Sequence, residues 1–148
     1  EPNSAESWDP ASLNTMLDHV LKTHPEIDGN RVYVMGHSMG GVGTWSWINE
    51  SPNRFAAAAP SGFPAGDTGD VGRLVNLPIW GMAGAADGER TAGIKKMVDR
   101  LRAAGNTNVK HTEFAGANHS KANAAVFSSV DLVDWMLGFS KKDQRTGN

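Results

Sequence analysis

Val32-Tyr33-Val34-Met35-Gly36-His37-Ser38-Met39-Gly40-Gly41 is the stretch whose reading decides the fold. Four apolar or β-favouring residues run into Gly-x-Ser-x-Gly, and a glycine-rich helix start follows. That is the layout of a nucleophile elbow, a strained strand-to-helix turn that exposes a serine hydroxyl. Gly36 and Gly40 are expected to make room for the turn, because a Cβ at either would crowd nearby backbone. The amide of Met39 would then point to where an acyl oxyanion forms.

Upstream, Asp9-Pro10 reads as an N-cap followed by proline at the first helical position. Leu13, Met16, Leu17, Val20 and Leu21 lie on one face of the helix it opens, which should stop near His24-Pro25. Downstream, the spacing predicts a helix over 39–49, a strand over 55–59 and a loop over 62–72. A strand over 77–82 and a helix over 91–104 follow, the latter ended by Gly105. A strand over 109–114 and a helix over 129–139 complete the pattern, with 1–8 and 141–148 as flexible ends. Strands alternating with helices predict one α/β domain over 1–148: a three-layer sandwich with a short, mostly parallel sheet of about four strands. Trp45 and Trp47 are two apart on a helix and cannot share a face, so one is expected in the core.

Composition narrows the function classes. The chain has 148 residues, 39% hydrophobic and 20% charged, which suits a folded globular domain. A net charge of -2 offers no basic footprint for nucleic acid or an anionic membrane. No signal peptide or membrane-spanning run is legible, and the compartment stays open. Cysteine is absent, so no disulfide or thiolate chemistry is expected. No phosphate-binding loop or metal-binding motif is present, and neither metal nor cofactor is expected.

In a parallel α/β sheet, reactive groups gather beyond the carboxyl ends of the strands. Ser38 should lie there, with Asp87 after the third strand and His119 after the fourth. A serine hydroxyl needs a base to become a nucleophile. His119 fits that role, with Asp87 orienting the imidazole. Asp87 could instead cap the next helix, with Asp67 or Asp70 as rival acids, and His119 could be a solvent-facing helix start. His37 and Trp45 are candidate substrate contacts, whereas His19, His24 and His111 read as surface residues.

Residues 31–41, with Gly43-Thr44-Trp45 after them, resemble the elbow of α/β-hydrolase esterases. The resemblance is to the carboxylesterase, feruloyl-esterase and polyhydroxybutyrate-depolymerase-like group. It continues through Pro52 to Pro60, Pro78-Ile79-Trp80, Gly116 to His119 and Leu132 to Leu137. It implies a serine esterase acting on short-chain esters through Ser38, Asp87 and His119. A peptidase or thioesterase with the same triad is an alternative, and so is a catalytically silent half-domain serving assembly or binding. The acid loop departs from the usual His-Gly-x-x-Asp: it reads Ala83-Gly84-Ala85-Ala86-Asp87, and the Val-Pro expected a few residues later is missing. The resemblance starts midway through the usual fold and implies a minimal version without the loop that normally supplies a second oxyanion amide. It also implies an open first-strand edge, through which a homodimer would form. The expected partners are thus a small ester and a second copy.

Overall fold

A computed structural model describes residues 8–64 and 70–145; the candidate acid Asp67, the outermost N-terminal residues and 146–148 lie outside them. Among the described residues, four strands form one all-parallel sheet in the order β1-β2-β3-β4. They are β1 (Tyr33–His37), β2 (Ala57–Ser61), β3 (Ile79–Gly84) and β4 (Val109–Phe114). The helices are α1 (Pro10–Thr23), α2 (Met39–Glu50), α3 (Glu89–Ala103), α4 (His119–Phe127), α5 (Val130–Leu137) and α6 (Lys141–Arg145).

The period-2 alternation of strand side chains divides the core in two. Val34, Ala58, Ile79 and Val109 join Trp45, Ile48, Phe55, Met97 and Leu101 on the face covered by α2 and α3. Tyr33, Met35, Ala57, Ala59, Trp80, Met82 and Phe114 join Val126, Leu132 and Met136 on the face covered by α4 and α5. These are the three layers expected.

The α1 start agrees with its sequence signal, since the Asp9 carboxylate accepts from the amides of Ala11 and Ser12. Strands β2 and β3 sit two residues later than expected. Pro52–Arg54 forms a 3-10 turn, and pairing with β1 starts where the Ala56 amide donates to the Val32 carbonyl. Of α4 only a start at His119 was among the expectations, and the C-terminal segment forms α6 rather than fraying. It is tied down where Lys141 N donates to Asn30 O at 2.9 Å and Gln144 Nε2 to Ala56 O at 2.7 Å. Among the described residues no helix is long and apolar enough to cross a membrane.

Candidate active site

Ser38 alone forms the turn between β1 and α2, with φ 58° and ψ −119°. Among the described residues it is the one non-glycine with positive φ, a conformation that costs about 1–3 kcal/mol and must be held by its surroundings. The Ser38 amide donates to Ser61 O at 3.0 Å, and its carbonyl accepts from Val42 N at 3.0 Å. Gly36 is needed sterically: a Cβ there would lie 2.5 Å from Gly40 C and 2.9 Å from Thr44 Oγ1. Gly40 corrects the expectation. A Cβ at Gly40 would meet nothing within 4 Å, because the tight approach uses its backbone and not the space above its Cα.

The Ser38 side chain makes no cap bond to α2. Its Oγ instead lies 2.8 Å from His119 Nε2, and His119 Nδ1 lies 2.6 Å from Asp87 Oδ2. The Asp87 side chain is only 5% exposed, against 29% for His119. Burial pushes the Asp87 carboxyl up, but hydrogen bonds and charge from His119 and Arg90 outweigh it and hold the group below its usual value. An ionised carboxylate can only accept, so Nδ1–H donates to it and Nε2 is left to accept from the Ser38 hydroxyl.

Backbone contacts set this spacing. Ala85 N donates to Phe114 O at 3.0 Å, and Ala86 N to Ala117 O at 2.9 Å, which ties the turn after β3 to the loop after β4. Gly84 permits the approach, since a Cβ there would lie 2.9 Å from both Ala117 C and Asn118 O. Asn118 caps α4 by accepting from Lys121 N, so His119 is fixed as its first residue. Asp70 is elsewhere, accepting from Gly72 N at the start of a 3-10 turn.

The other expected contacts take different places. Trp45 is 2% exposed and part of the core; its Nε1 donates to Phe63 O at 3.1 Å and pins the loop after β2. The His37 ring lies 4.6 Å from that of His119, centre to centre, with Nδ1 2.9 Å from Ser61 Oγ. With Nε2 buried as well, the polar atoms of His37 are turned inward rather than offered to a substrate. Burial, with the charge of His119, pulls the His37 pKa down. Met39 opens α2, where a first-turn amide has no intrahelical partner and the helix dipole favours negative charge. The His111 side chain is only 14% exposed, so it is not the surface residue expected. Arg90 was missed: its Nη1 donates to Asp87 Oδ1 at 3.1 Å, a pairing legible only as Asp-x-x-Arg across a helix start. Among the described residues no group of three or more His, Asp or Glu side chains is placed to hold a metal ion.

Residues 7–65, which include the turn at Ser38, match a model of the prolyl oligopeptidase family. No curated protein matches the chain. Among solved structures, a thermostable esterase is 30% identical, with TM-score 0.73, over 86% of this chain and 36% of its own. The S-formylglutathione hydrolase FrmB of Staphylococcus aureus is 20% identical, with TM-score 0.64, over 84% of this chain and 59% of its own. The fluorophosphonate-binding serine hydrolase F of Staphylococcus aureus is 19% identical, with TM-score 0.65, over 86% of this chain and 62% of its own. The chain therefore has the α/β-hydrolase fold and spans only part of the length of the structures it matches.

Proposed function

We propose that this chain carries the catalytic centre of a serine hydrolase that cleaves short-chain carboxylic esters. The observation that carries the reading is the unbroken contact from Ser38 Oγ through His119 to Asp87, at 2.8 and 2.6 Å. His119 Nε2 removes the Ser38 proton as Oγ attacks the ester carbonyl carbon, and the carbonyl electron pair moves onto oxygen. The Met39 amide is the candidate donor to that oxyanion. Collapse of the adduct expels the alcohol, which takes the proton from Nε2 and leaves an acyl group on Ser38. Water, deprotonated by the same nitrogen, attacks the acyl carbon and releases the acid and the free serine. Asp87 stays ionised throughout and stabilises the imidazolium.

Hydrolysis of p-nitrophenyl butyrate tests this reading. The expected result is turnover that Ser38→Ala and His119→Ala each abolish; equal rates in all three proteins would refute it. The match to the prolyl oligopeptidase model over 7–65 favours a second reading, amide cleavage by the same groups. Faster turnover of a peptidyl p-nitroanilide than of the ester would select it.

A further inference from the structure

We infer that Arg90 is a positioning residue of this site: it holds one Asp87 oxygen so that the other stays on His119. The inference rests on the reading of Ser38, His119 and Asp87 as the reacting groups. Each Asp87 oxygen has its own partner, Oδ2 with His119 Nδ1 at 2.6 Å and Oδ1 with Arg90 Nη1 at 3.1 Å. A carboxylate held at both oxygens cannot swing about its last torsion without breaking one bond. Arg90 is itself held from a second side, with its guanidinium 5.3 Å from the centre of the Phe63 ring, a cation–π distance. Phe63 is fixed in turn by the bond from the buried Trp45 indole to its carbonyl. A half-exposed arginine is thereby linked through an aromatic ring to the core.

After the acid the chain reads Gly88-Glu89-Arg90-Thr91, without the Val-Pro that the resemblance implies. Valine could not bond the carboxylate, whereas Arg90 does, and the Thr91 hydroxyl closes the turn on Gly84 O at 2.6 Å. Among the described residues, the charged and titratable groups acting on Asp87 are His119 of α4 and Arg90 of α3. The His37 ring of β1 lies against that of His119. Removing the one permanent cation from this set frees Asp87 Oδ1 and takes away a hydrogen bond and a charge that help hold the carboxylate ionised.

Arg90→Gln and Arg90→Lys, assayed on p-nitrophenyl butyrate, test the inference. In Arg90→Gln, kcat should fall about tenfold with KM little changed, because the geometry of the reacting groups and not substrate binding is disturbed. Arg90→Lys should recover only part of kcat, since an ammonium keeps the charge but lacks the planar fork. The low-field proton signal of His119 Nδ1–H reports the Asp87 contact without turnover, and it should broaden in Arg90→Gln. Unchanged kcat and an unchanged proton signal in Arg90→Gln would overturn the inference. Absence of Ser38-dependent turnover in the wild type would instead refute the proposed function, and the proton signal would still decide whether Arg90 positions Asp87.

Discussion

Replacing Gly84 by alanine should disable the site without touching any of its side chains. Gly84 ends β3, and the loop that delivers His119 passes directly against its Cα. An added Cβ would lie 2.9 Å from both Ala117 C and Asn118 O, where ordinary contacts begin at about 3.5 Å. The Ala117 carbonyl oxygen is nearer still, so relief needs a loop shift of about 1 Å. The obstacle is the backbone of Ala117 and Asn118, and no rotamer change removes it. Overpacking of this kind costs about 1–3 kcal/mol, which lowers Tm by roughly 3–10 °C in a domain of this size. The larger effect is on geometry, because a displacement of about 1 Å in a reacting group can cost about a hundredfold in rate. The assay is kcat/KM on p-nitrophenyl butyrate at a temperature where circular dichroism shows the variant folded. Gly29→Ala is the control, since a Cβ there meets nothing within 4 Å. Activity of Gly84→Ala within about threefold of wild type, with unchanged Tm, would refute the reasoning.

The two elbow glycines should behave oppositely. Gly36→Ala should destabilise the fold by about 1–3 kcal/mol, whereas Gly40→Ala gains helix propensity and should stabilise it by about 0.5 kcal/mol; urea denaturation separates them, and a destabilised Gly40→Ala contradicts the geometry. Trp45→Phe should lose about 1 kcal/mol of stability with the bond to Phe63 O and leave KM unchanged, because the ring is core and not a substrate contact. The pH dependence follows from Asp87, whose folded pKa is lowered, so its stabilising contribution is present above its ordinary carboxylate value and lost as pH falls through the folded one. The stability difference between wild type and Asp87→Asn, followed by urea denaturation, should therefore be level above about pH 5 and shrink below it; a difference that grows on acidification would count against the ionised contact.

What the sequence revealed, and what it hid, follows from where each signal resides. The start of α1 is written locally in Asp9-Pro10, and β1 with its turn in the apolar run ending at Gly-x-Ser-x-Gly. Strands β2 and β3 drew no such local boundary. Their ends follow from pairing with neighbours, which carries Pro60 and Gly84 into strands that propensity alone would close earlier. The body of α4 is not legible because it buries only Ala122 and Val126, too sparse a stripe to read as amphipathic. Ser38, Asp87 and His119 stood out because each follows a strand at one sheet edge. Arg90 and Phe63 did not, since ion pairing and ring contact depend on side-chain directions that spacing does not fix. Trp45 misled for the complementary reason: proximity to the serine in sequence says nothing about which helix face a ring takes.

The most direct measurement is covalent labelling of the intact chain with a fluorophosphonate, followed by mass spectrometry of its peptides. The account predicts one adduct, on Ser38, absent in Ser38→Ala and formed far more slowly in His119→Ala. No adduct, or one on another residue at an unchanged rate in His119→Ala, would contradict it.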